Sequence, residues 1–197
     1  AGHKQRVQMN ISRKPELAWK KLSQEAISSA LKRLNKVSSG KWKLSWEENP
    51  VGSGRVNYDS VCVYFGAGEG QEAMHFALFF DRKDMGALSR NFIGYSFFVS
   101  EKMTKTEEML VSELGNIILN SLVNVIGNKL GRPFIPSVPK IIQAEKEFAL
   151  EVISAELPEN RGKTELSEII SIECGGKESV CEIFSFIPDN MLATLKK

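Results

Sequence analysis

Glu113, Asn116, Asn120 and Asn124 recur at spacings of three and four residues within the stretch 105–128. On a helix advancing about 100° per residue they fall within roughly 80° of one another. Glu113 and Asn116, three apart, are direct neighbours on that face. A carboxamide accepts and donates hydrogen bonds at once, and a carboxylate beside it only accepts. Asparagine is a mediocre helix former because its side chain competes for the backbone. Three of them at four-residue spacing therefore weaken the helix modestly. Two readings account for the pattern. One is a solvated face that tolerates asparagine; the other is a polar pair preorganised on a rigid element. Spacing alone does not choose between them.

The same helix carries its own positioning signal. Leu110, Leu114, Ile117, Ile118, Ser121 and Val125 cluster within roughly 100° of arc, a core-facing stripe. A second helix is read over 15–36, with Pro15 in its first turn and Leu17, Leu22, Ala26, Ala30, Leu31 and Leu34 on one face. Strand patterns cover 41–47, 56–65 and 72–80, the last two forming a hairpin around GAGEGQ. A short helix over 83–94 ends at Gly94, and a linker-like stretch surrounds Ser100–Thr106. Four further strands are expected over 133–142, 147–157, 164–174 and 178–187, with a short terminal helix from Pro188. Each half of the chain thus runs helix, strands, helix. The order predicts an α/β (α+β) domain over 15–197 with pseudo-repeats at about 15–100 and 101–197, preceded by a tail over 1–14. Ala1-Gly2-His3 reads as a remnant of cloning. Hairpin-length links favour antiparallel strands.

Composition narrows the function. The chain has 197 residues, 42 % hydrophobic and 25 % charged, an ordinary globular make-up with room for a substantial core. Twenty-six basic residues against 24 acidic ones give a net charge of +2, which argues against a dedicated nucleic-acid binder. Three cysteines without CxxC spacing read as reduced, buried thiols in a cytoplasmic protein. The N-terminal stretch lacks the apolar core of a signal peptide, and no apolar run approaches a membrane span of roughly 18 residues. With His3 set aside, His75 is the one informative histidine; no zinc site with two or three histidines can form, and no metal is expected. GAGEG at 66–70 lacks a following helix and a GKS or GKT ending, so it reads as a turn rather than a phosphate loop. Lys20, Lys21, Lys32, Arg33 and Lys36 form a basic helix face, solvated or able to steer an acidic partner. Trp42 and Trp46 share one strand face, as core or as a dimer contact.

The stretch SELGNIILNSLVNVIGNKLGRPFIPSVPKI resembles the signature region of the CheC, CheX and FliY phosphatases of bacterial chemotaxis. That family carries a Glu-x2-Asn pair on a long helix, matched here by Glu113 and Asn116. Gly115 and Asn124 also fall at positions where the family often has Gly and Asn, and Pro139 lies one residue beyond the usual proline distance. The position four before the Glu, normally Asp or Ser, holds Met109. In the first half, the best register puts Glu25 at the Glu position and Ser28 at the Asn position, with Pro50 at the family spacing. A serine lacks the reach and planar amide of asparagine, so this twin site reads as degenerate, a pattern similar to CheX.

The resemblance implies a pseudo-two-fold α-β-β-β-α repeat, with a largely antiparallel sheet and two long helices on one face. It implies a hydrolase acting on the aspartyl phosphate of a CheY-like response regulator, which brings its own Mg2+ and lysine. Asn116 would orient the attacking water, Glu113 would pair with the receiver's lysine, and Asn120 and Asn124 would belong to the partner-binding face. The chain itself would carry no cofactor. A homodimer and a CheD-like partner are also implied, with neither nucleic acid nor membrane insertion. The alternative within the same resemblance is a catalytically silent binding module, as in the middle domain of the flagellar switch protein FliM.

Overall fold

In the computed structural model, residues 13–46, 59–97, 102–157 and 162–195 are described. Pro50 and the expected strand residues 56–58 lie outside them, as does the side chain of Cys174. Two long helices, α1 (Arg13–Val37) and α3 (Lys105–Leu130), follow the two periodic stretches. The strands are β1 (Trp42–Trp46), β2 (Ser60–Ala67), β3 (Met74–Asp81), β4 (Lys140–Ala144), β5 (Lys163–Cys174) and β6 (Lys177–Pro188). The shorter helices are α2 (Met85–Ile93), α4 (Lys146–Glu156) and α5 (Asp189–Leu195).

All six strands join one antiparallel sheet in the order β1-β5-β6-β3-β2-β4. Exchanging β1 with β4, β2 with β5 and β3 with β6 reproduces that order reversed, so the strand order itself carries a pseudo-two-fold at the β3–β6 pair. The β5–β6 hairpin turns at Gly175 and Gly176, whose φ values of 58° and 79° need residues without a Cβ.

Strand alternation gives the sheet two different faces. On one, Val61, Val63 and Phe65 of β2 and Phe76, Leu78 and Phe80 of β3 meet Trp19, Leu22, Ala26 and Leu34 of α1 and the apolar stripe of α3. The two long helices lie side by side there. All six stripe residues, from Leu110 to Val125, are buried. By length and hydropathy α3 would pass for a membrane span, but 67 % of its most apolar window is buried inside the protein. It is a core helix.

The other face departs from the sequence expectation. Residues 147–157 form helix α4 rather than a strand. Phe148, Leu150 and Val152 alternate like a strand, while Ala149, Ile153 and Leu157 repeat every four like a helix; a short apolar run is ambiguous by period alone. The second set is buried, against Cys62, Tyr64, Ala77, Phe79 and Phe186, and Phe148 is left exposed. Of the strand expected over 133–142 only β4 forms. Pro133, Pro136 and Pro139 cannot donate to a ladder, and the segment before β4 makes a single bridge, Pro136 to Ala67. Trp42 is core, and Trp46 packs at its edge.

Candidate functional site

Contacts at its start, its end and its middle fix α3. Thr104 caps its start: the Glu107 amide donates to Thr104 Oγ1 at 3.3 Å and the Thr104 amide donates to Glu107 Oε2 at 2.6 Å, a reciprocal capping box. One residue upstream, the Met103 amide donates to Gln143 Oε1 at 3.1 Å, tying the helix entrance to β4. Gly131 ends the helix in the left-handed conformation.

The remaining contact lies at the middle. Gly115 is buried where α3 crosses β2, and a Cβ placed on it would stand 2.5 Å from Val63 Cγ1 and 2.7 Å from Val63 Cβ. Only glycine permits that approach. Gly115 sits between Glu113 and Asn116, so this close helix–sheet approach sets the height of the pair. Glu113 is exposed and Asn116 half-buried on the outer face of α3. Met109, one turn earlier, is 69 % exposed and offers Glu113 no hydrogen bond.

The rest of the polar stripe behaves differently. Asn120 is half-buried, and its Oδ1 is fully enclosed without a partner. Asn124 is exposed but lies about 12 Å along the axis from Asn116. It lines a separate depression of about 380 Å3 with Gly127, Asn128, Arg132 and Phe134. Glu25 and Ser28 are exposed on α1, on the helix packed beside α3.

Among the described residues no group of three His, Cys, Asp or Glu side chains is arranged to hold a metal. Cys62 and Cys181 are buried free thiols whose pKa values burial pushes up. His75 is packed: its ring stacks on Tyr64. Sequence reasoning missed the capping box, although Thr104-Lys105-Thr106-Glu107 spells it. It also read Gly115 only as part of a motif; nothing local to the chain announces which residue a helical glycine will face.

No protein-family model matches the chain, and a search of curated proteins finds no relative. Solved structures do match. Thermotoga maritima FliY superposes with a TM-score of 0.68 at 17 % identity, over 95 % of this chain and 96 % of that one. The FliM middle domain from H. pylori gives 0.60 at 10 % identity, over 93 % and 99 %. The chemotaxis protein CheX from Vibrio vulnificus gives 0.54 at 13 % identity, over 84 % and 99 %. At these identities the likeness is one of architecture: six antiparallel strands under two long helices are the fold this chain shares with FliY, the FliM middle domain and CheX.

Proposed function

We propose that this protein removes the phosphoryl group from the aspartyl phosphate of a CheY-like receiver, with α3 as the docking helix. The observation that carries the reading is the Glu113–Asn116 pair, presented outward on a helix whose height over the sheet is fixed at Gly115. The phosphoryl group, the Mg2+ and the lysine all belong to the receiver. Asn116 enters the receiver's site and holds a water in line with phosphorus through its amide oxygen and NH2. Phosphoryl transfer asks for positioning and charge stabilisation more than for a protein nucleophile. The water's oxygen bonds to phosphorus, the bond to the aspartyl oxygen breaks, and inorganic phosphate leaves. Glu113 pairs with the receiver's lysine and sets the register of docking. Only one such pair is present, because α1 has Ser28 where α3 has Asn116.

The test is phosphate loss from phosphorylated CheY-like receivers with Mg2+, with and without this protein, and with the Glu113→Ala/Asn116→Ala double variant. Acceleration that the double change abolishes supports the reading, and unchanged decay refutes it.

A second reading has specific support. Met109 replaces the residue expected beside the Glu, and the FliM middle domain shares the fold. In that reading the chain binds a receiver or a switch partner without catalysis. Measurable receiver binding with no acceleration of decay would select it.

A further inference from the structure

The sheet face opposite α1 and α3 carries a polar cluster that receiver dephosphorylation does not use. Tyr64 on β2 and His75 on β3 stand side by side there. Their rings are 6.0 Å apart and tilted by only 9°, and the Tyr64 hydroxyl lies 2.9 Å from His75 Nδ1. They line a groove of about 840 Å3 at the C-terminal end of α4. At its rim Lys140 pairs with Glu156 at 2.7 Å and Arg132 with Glu72 at 2.8 Å, and Glu69 adds a further carboxylate.

Two nitrogen atoms on this sheet face are unpaired. His75 Nε2 and Lys163 Nζ are both buried and both lack a hydrogen-bond partner. Register places Lys163 on the same sheet face: it pairs with Pro188 on β6, two residues from Phe186, which pairs with His75. Burial and then the Lys163 charge push the His75 pKa down to about 4, so the ring is neutral at pH 7. Burial and then Glu156 push the Tyr64 pKa up to about 12, so its hydroxyl keeps its proton. With Tyr64 donating to Nδ1, the single ring proton sits on Nε2. Two donors, one of them cationic, are therefore enclosed with no acceptor among the described residues. Leaving such groups unpaired is expensive. Glu156 is engaged by Lys140 and does not supply the missing acceptor.

We propose that His75 Nε2 and Lys163 Nζ, with Tyr64 fixing the ring, form a binding site for a small oxyanion, the carboxylate or phosphate group of a soluble ligand. An oxyanion has acceptor oxygens for both donors and a charge opposite to the ammonium. The site lies on the face away from Glu113 and Asn116 and does not depend on their role.

The experiment follows the His75 ring nitrogens by 1H–15N spectroscopy at pH 7. The protein is titrated in separate arms with inorganic phosphate and with acetate, at constant ionic strength held by chloride. A saturable shift in either arm is expected, and the arm that responds names the group. Lys163→Gln should weaken that binding by about tenfold or more. The same anion should raise the melting temperature of the wild type and leave that of Lys163→Gln unmoved. Tyr64→Phe, which frees the ring tautomer, should also weaken binding, and it serves if Lys163→Gln fails to fold. No saturable shift in either arm, the result for a cluster satisfied by water, overturns the site. Equal binding by wild type and Lys163→Gln overturns it too.

Discussion

Replacing Gly115 by alanine tests how the site is held. An exposed mid-helix glycine changed to alanine gains about 1 kcal/mol of helix propensity. Here the new Cβ would stand 2.5 Å from Val63 Cγ1 and 2.7 Å from Val63 Cβ, where carbon atoms settle at about 3.5–4.0 Å. Val63 is fully buried between Leu78 and Ile141 on the neighbouring strands. A rotamer change moves its methyls but not its Cβ, so backbone must give by about 1 Å. Overpacking of this kind costs about 1–3 kcal/mol. Set against the propensity gain, the net is a loss of up to about 2 kcal/mol, which lowers Tm by about 2–4 °C per kcal/mol at this size. The larger effect falls on activity. The displacement lifts the backbone between Glu113 and Asn116, and misplacement of about 1 Å costs on the order of 10²-fold in rate. Thermal melts and receiver dephosphorylation on the same preparations measure both. Adding Val63→Gly removes the Val63 Cβ as well as its methyls, so a double-mutant cycle should show favourable coupling of about 0.5–3 kcal/mol. A Gly115→Ala protein as stable as wild type, with no coupling to Val63, would refute the close approach.

Three further outcomes follow from the same geometry. Asn116→Ala should lower kcat by on the order of 10²-fold or more with receiver affinity little changed, while Glu113→Ala should mainly weaken receiver binding, by about 2–5 kcal/mol if the charge pair is buried in the complex; single-turnover kinetics against receiver concentration separate the two. Thr104→Ala removes the capping box at the α3 entrance and should lower stability by about 0.5–2 kcal/mol in denaturant melts. His75 is held below its ordinary pKa, so the unfolded chain binds the extra proton first. Its contribution to stability is present above about pH 6.5 and is lost as pH falls towards 4. Buried Glu168 has the opposite sign: burial raises its pKa despite donors from Ser23 and Trp46, so its protonated form favours the fold and stability falls as pH rises from 4.5. Melts against pH should therefore show His75→Gln losing the acid-side decline and Glu168→Gln losing the decline on raising pH.

How much of this was written in the sequence depends on whether a signal was local. The α3 stripe was legible because five apolar residues and Ser121 repeat with one period over four turns, and all six are buried. The hairpins and the Gly94 helix end were legible because turn chemistry is local. Helix α4 was not, because Ala149 and Ile153 declare a face only once β2 and β3 provide something to cover. Glu113 and Asn116 were legible as neighbours, since any helix makes them so. Their height was not, since Gly115 meets Val63 across a separation of 52 positions. Tyr64, His75 and Lys163 were invisible together, because strand order alone brings β2, β3 and β5 onto one face.

The pseudo-two-fold also bears on the twin site. The register that places Glu25 opposite Glu113 and Ser28 opposite Asn116 also places Ile27 opposite Gly115. Ile27 is buried, so a four-carbon side chain stands in α1 where α3 has none, and α1 cannot approach its strand in the same way. The strand related to β2 is β5, and beneath α1 it presents Glu168 rather than a valine contact. Ser23 Oγ donates to Glu168 at 2.7 Å and Trp46 Nε1 at 3.1 Å. The first helix thus rests on a polar network and a bulky residue, the second on a bare glycine. In this register α1 differs from α3 at more than one side chain. Ser28→Asn should restore the amide yet leave the rate per molecule unchanged, because the new Asn would stand at the wrong height. Assaying it in an Asn116→Ala background isolates the first site. Activity approaching wild type there would show that helix height does not matter, and would leave Gly115 with no part in positioning the pair.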